Sequence, residues 1–300
     1  MFRTLAFASA LVVSGAAFAA DLAYKKPSPV APAASAACKE KTGLPADIFG
    51  FSTGSDVADL GAWGIALDTT TSFGSRGGRF AAFSPTVQVS GSFLPCFEVG
   101  PFVNGFTSSY KAYGGVATAK TTALGGGVEM KYKFLGRATH GIGVTLAVTP
   151  SITGWDFPAG VNGTGYGASI RLLTDMELVK DKLYGAFNAE YVPGWLESAG
   201  VTTKTSFLNF RLALSAKLTE TFYFGAEASH QRAYTGVSFN RDAGSATFVG
   251  PTFFWQATDK ISINGAWAYQ VTGESLLAGR KLNLETFNRH QARLKLAYAF

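Results

Sequence analysis

From Leu60 to Phe300, apolar and polar residues change places at nearly every step. Val128, Met130, Tyr132 and Phe134 alternate with Gly127, Glu129, Lys131 and Lys133. Ile142, Val144, Leu146 and Val148 alternate with Gly143, Thr145, Ala147 and Thr149. Leu208, Phe210, Leu212 and Leu214 do the same against Asn209, Arg211, Ala213 and Ser215. A period of two is the signature of a strand with two unlike faces. Scanning for it predicts twelve strands, near 60–73, 79–93, 97–110, 122–134, 141–155, 165–179, 183–192, 204–218, 222–234, 246–257, 261–271 and 286–300. Pro85 and Pro101 interrupt the early runs, and ten or fourteen strands fit the same pattern.

The connections alternate as well. Short turns fall at 180–182, 219–221 and 258–260, and around Pro95 and Gly136, whereas 111–121, 156–164, 193–203, 235–245 and 272–285 read as longer loops. This describes an all-β, antiparallel up-and-down meander with short turns at one end.

An amphipathic meander closes into a barrel with its apolar face either inward or outward. About twelve strands enclose more volume than side chains fill, because eight already give a just-filled interior. The non-apolar face mixes Gly, Ala, Ser, Thr and Asn with single charges, which suits a confined polar lumen. Strands of about 13 residues, rising roughly 3.3 Å each and tilted near 45°, reach about 30 Å, the height of a membrane's apolar band. Aromatic residues gather near the short turns (Phe97, Phe134, Phe222, Phe224, Phe253, Trp255, Phe300) and towards the long loops (Trp155, Tyr166, Tyr191, Trp195, Tyr234). They are expected to form two interfacial girdles. The expected fold is a transmembrane antiparallel β-barrel of about 12 strands, spanning residues 48–300.

Two stretches resemble known families. The ending LKLAYAF resembles the terminal strand of bacterial outer-membrane proteins, which finish on Phe after alternating aromatic or apolar residues. The resemblance implies that Leu294, Leu296, Tyr298 and Phe300 form an assembly signal read by the barrel-assembly machinery. ADLAYKKPSPVAPAASAAC, at 20–38, is similar to the start of mature porins from alphaproteobacteria. That likeness implies an envelope protein of that lineage.

Composition agrees with one surface kept free of charge: 47% of residues are hydrophobic and only 15% charged, against about 25% charged in soluble domains. Residues 1–20 read as a cleaved secretory signal, with an apolar run from Leu5 to Phe18 and small residues before Asp21. Residues 21–47, rich in Pro, Ala and Lys, read as a periplasmic tether. The expected location is the outer membrane of a Gram-negative cell, in contact with lipid and lipopolysaccharide. Two cysteines in an oxidising compartment are expected to pair. Cys38 lies in the tether and Cys96 in a short turn at the same end, so a Cys38–Cys96 disulfide would pin the tether to the barrel mouth.

Lumen parity collects the charges Glu98, Glu129, Lys131, Lys133, Arg171, Asp175, Glu177, Glu190, Arg211, Lys217, Glu227, Arg289, Arg293 and Lys295, eight basic against six acidic. Two readings follow. One is a porin-like conduit for small polar solutes with weak anion preference. The other is a salt-bridged interior that plugs itself, in a closed barrel acting through its loops. No enzyme is expected. Nucleophilic catalysis needs a base beside its nucleophile, and neither His230 nor His290 has a hydroxyl two residues along its strand. No cofactor or metal is expected, since no Cys/His cluster has ligand spacing and the Gly-rich runs at 125–127 and 163–167 open no helix. Basic residues are scattered singly, which argues against nucleic acid. The oligomeric state is open.

Overall fold

A computed structural model describes residues 47–300 except 76, 113–117 and 276–279. Its wall has twelve antiparallel strands. They are β1 (Trp63–Phe73), β2 (Gly78–Leu94), β3 (Phe97–Ala112), β4 (Thr118–Leu135), β5 (Ile142–Phe157), β6 (Val161–Val179), β7 (Leu183–Ser198), β8 (Val201–Lys217), β9 (Phe222–Thr235), β10 (Asp242–Gln256), β11 (Ile261–Glu274) and β12 (His290–Ala299). Each pairs with its sequence neighbour, and β1 pairs with β12 to close the barrel. The seam runs from Gly64 opposite Ala299 to Phe73 opposite His290. Closure removes the edges on which sheets aggregate. One short helix, α1 (Arg137–His140), makes the β4–β5 turn.

The apolar parity faces outward. Leu212, Leu214, Leu294, Leu296, Phe134 and Phe224 are exposed, while the alternate set, from Glu129 and Lys131 to Arg293 and Lys295, is buried. An exterior so apolar over such an area is unsuited to water and suited to hydrocarbon.

The strands run further than their alternation suggests. β7 continues through Pro193 to Ser198, and β6 begins at Val161, so the loops expected at 156–164 and 193–203 shrink to a few residues. Proline lacks an N–H and removes one ladder bond. The wall accommodates this at five outward positions by pairing on one side only. Pro193 pairs with Ser206 of β8, yet the β6–β7 ladder skips from Gly167–Gly194 to Ile170–Tyr191. Pro85, Pro101, Pro150 and Pro251 each show the same one-sided gap.

One of the expected aromatic placements differs. Trp155 points inward, its ring 5.4 Å from Phe106, and so does not join the long-loop girdle. The first strand, expected near 60–73, begins at Trp63, and residues 47–62 form none of the wall's strands.

Candidate functional site

Residues 47–59, DIFGFSTGSDVAD, lie inside the barrel. Ser52, Thr53 and Ser55 have no exposed surface, and Ile48 and Phe49 almost none. The segment carries no strand period, so its backbone groups lack partners of their own, and a buried unpaired N–H or C=O is costly. Lumen side chains answer them in turn around the wall. Asn264 on β11 donates to the Asp47 carbonyl at 2.7 Å and also to that of Phe49. Ser215 on β8 donates to the Ile48 carbonyl at 2.9 Å. Glu227 on β9 accepts from the N–H groups of Phe51 and Ser52 at 2.7 and 3.0 Å. Asn188 on β7 accepts from Thr53 N–H at 2.7 Å and donates to its carbonyl at 2.8 Å, as a neighbouring strand would.

The path continues towards β1. Asp175 on β6 accepts from both the N–H and the hydroxyl of Ser55, at 2.7 and 2.8 Å. Thr145 on β5 donates to the Ser55 carbonyl. Glu98 on β3 accepts from Ala58 N–H at 2.7 Å, and Gly61 then meets the Ser92 carbonyl of β2 at 2.8 Å. The chain thus traces the inner wall before entering β1.

Its two buried acids meet lumen cations. Asp47 pairs with Lys295 at 2.6 Å. Asp56 pairs with Lys133 at 2.7 Å and with Arg137. Burial pushes the Asp56 carboxyl up, but the two cations outweigh it and hold the group below its ordinary range. Two glycines make the fit tight. A Cβ on Gly50 would stand 2.3 Å from the Thr252 methyl, and one on Gly143 only 1.9 Å from the Ser55 hydroxyl. Phe49 fills an apolar pocket with Tyr184, Tyr223 and Phe254 near the short turns. Phe51 packs against a second cluster containing Phe207, Phe248 and Phe287.

The wall's remaining charges pair among themselves. Lys131 meets Glu98 at 3.0 Å, Arg211 meets Glu190 at 2.9 Å, Arg171 meets Glu129, and Arg293 meets Asp68 at 2.6 Å. Of the fourteen lumen charges singled out from the sequence, Glu98, Glu129, Lys131, Lys133, Arg171, Asp175, Glu190, Arg211, Glu227, Arg293 and Lys295 are buried inside, and Arg289, just before β12, is exposed. Glu177 and Lys217 stand at the short-turn rim, where they bond Asp181 N–H and the exposed Glu220. Asp47, Asp56 and Arg137 lie outside the strands and had no signal in the alternation, whereas Asp68 holds the polar parity of β1 beside Ile65 and Leu67 and was passed over.

The long-loop mouth is occupied too. Residues 283–288 fold inward, burying Asn283, Leu284, Phe287 and Asn288. Gln270 donates to the carbonyl of Asn283 at 3.1 Å. Leu294, Leu296, Tyr298 and Phe300 are exposed on the outward face of the terminal strand. His230 also faces outward, its Nδ1 3.0 Å from the Thr247 hydroxyl on β10. Among the described residues, no group of His, Cys, Asp and Glu is placed to hold a metal ion. Cys96 sits in the β2–β3 turn with φ 61° and is not a free thiol. Its expected partner Cys38 lies outside the described residues, as do the expected signal and nearly all of the tether.

With this architecture in view, one comparison is decisive. The sequence model of a family of unknown function, DUF6662, matches residues 45–300. The chain belongs to that family. The match begins at the lumen segment rather than at β1. No functionally curated protein matches the chain. Similar solved structures include the β domain of the Bordetella autotransporter BrkA (11% identity, 80% of this chain, 100% of that one, TM-score 0.58). Others are an outer membrane channel from Pseudomonas putida F1 (10%, 81%, 97%, 0.54) and the translocator domain of autotransporter NalP from Neisseria meningitidis (13%, 80%, 88%, 0.50). At these identities the likeness shows the fold.

Proposed function

We propose that this DUF6662 member is an outer-membrane β-barrel that passes small polar solutes only when residues 47–59 leave its lumen. One observation carries the reading. Between Asp47 and Ala58, each bond described above runs to a wall side chain, never to the wall's backbone ladder. The segment can therefore depart without opening the barrel, and its departure leaves a polar channel. The apolar exterior supports a membrane location, as do the outer-membrane proteins of the same fold. The resemblances at both ends support export, barrel assembly through the terminal strand, and an alphaproteobacterial lineage. Within this reading a Cys38–Cys96 bridge tethers the plug at the short-turn, periplasmic end. Two free thiols in unreduced peptides would remove that part.

The buried ion pairs and the inward fold of 283–288 favour a second reading, a closed barrel that acts through its loops. Planar-bilayer recording separates the two. The full chain is expected to stay closed, and a variant lacking residues 47–58 to carry steady current. A folded deletion variant that carries none would leave the closed barrel standing. No catalytic role is proposed.

A further inference from the structure

Three cations stand on the outward face of the long-loop rim. Arg79 on β2 is directly opposite Lys111 on β3. Lys120 on β4 is opposite Ser109, one diagonal step from Lys111. All three side chains are exposed. Like charges directly opposite on one face of a sheet repel, and none of the three makes an ion pair with a described residue. The nearest acid on this face, Asp156 on β5, is opposite Thr122, one diagonal step from Lys120 but three strands from Arg79. Among the described residues, Arg79 and Lys111 have no acid beside them.

Below the cations lies a mostly apolar groove of about 300 Å³, formed by residues 71–73, 81–83 and 107–109. On the outward parity, Phe73 and Phe83 flank it over the small residues Thr71, Ala81, Thr107 and Ser109. Ala81 is two residues from Arg79 and Ser109 two from Lys111, so groove and cations are continuous. Adjacent strands are about 4.8 Å apart. Arg79 and Lys120 are thus separated by two strand spacings, more than a single phosphate bridges.

We propose that this surface binds one phosphorylated glycolipid of the outer leaflet, its phosphates on Arg79, Lys111 and Lys120 and an acyl chain in the groove. The inference rests on the outer-membrane reading, which puts this rim at the outer leaflet, but not on whether the lumen opens. Cationic side chains hold phosphate through charge-assisted bonds, and the apolar groove selects a lipid over a free anion.

The test is native mass spectrometry of the full chain in detergent, titrated with diphosphorylated lipid A, dephosphorylated lipid A and phosphatidylglycerol. Diphosphorylated lipid A is expected to bind about tenfold or more tightly than either other lipid. Combined Arg79→Gln, Lys111→Gln and Lys120→Gln should abolish that preference. Ser109→Trp, which fills the groove and keeps the charges, should weaken binding and decides the matter if the triple variant fails to fold. Equal binding of phosphatidylglycerol, or unchanged binding by folded Ser109→Trp, overturns the proposal. Conductance of the plug-deleted barrel is a separate readout, so either idea can fail alone.

Discussion

The two halves of the lumen are built from different chemistry. Every buried charged side chain among the described residues lies in the half near the short turns. Arg171, the furthest along its strand, is eight residues before Val179, the end of β6. The half near the long loops is lined by amides and apolar groups, such as Gln231, Gln270, Gln291, Phe207 and Phe248. The plug occupies the charged half. There the wall and its turns bury seven basic and six acidic side chains, and Asp47 and Asp56 add two acids. The wall's small positive excess is therefore answered by the plug itself. Loosely spaced single charges need a partner threaded among them, whereas amides such as Gln231 and Gln291 satisfy each other directly, at 3.3 and 3.4 Å.

The contrast breaks most severely at Arg293. This residue holds Asp68 and the Gly50 carbonyl together, so Arg293→Ala strands a buried carboxylate and frees the plug. A loss of about 3–5 kcal/mol is expected, read by urea unfolding in detergent. A loss under about 1 kcal/mol would mean that the charged half is hydrated rather than packed. Next is Gly50→Leu, which drives side-chain atoms into Thr252 and Ala266. It should cost about 1–3 kcal/mol and expose 47–59 to protease while the wall stays folded. Unchanged protection of the segment would contradict the tight fit. In the other half, Gln231→Ala should cost only about 0.5–1.5 kcal/mol and leave the plug protected.

The smallest effect expected is that of pH in the neutral range. Because Asp56 is held below its ordinary range, its contribution is complete above the unfolded carboxylate value near 4 and is lost as pH falls through the lower folded value. The Asp56 latch should therefore be unaffected between about pH 5 and 8, so that bilayer recordings of the full chain and of Asp56→Asn differ by the same margin throughout that range. A margin that changes near neutrality would contradict this.

The wall was legible because membrane strands must separate their faces, and that requirement writes period two along β4, β5, β8 and β12. Their parity also located Glu129, Lys131, Arg211 and Arg293. Strand lengths were less legible. Pro193 reads as a breaker, yet in a closed wall it forfeits one bond on one side and β7 continues. Trp155 shows that an aromatic near a strand end need not sit at an interface, for its parity turns it onto Phe106. The plug left no readable pattern. Its partners Arg293 and Lys295 lie more than 240 residues away in sequence, and DIFGFSTGSDVAD has no period to betray them. The mixed lumen charges were the available clue, since several lacked an obvious neighbour of opposite sign.

Hydrogen exchange addresses the plug most directly. In the folded barrel in detergent, the amides of Phe51, Ser52, Thr53, Ser55 and Ala58 donate to buried lumen side chains. A peptide covering 48–59 should therefore resist exchange for as long as peptides from β7 and β9. Exchange of that peptide within seconds, while the wall stays protected, would show that the lumen is not filled by this segment.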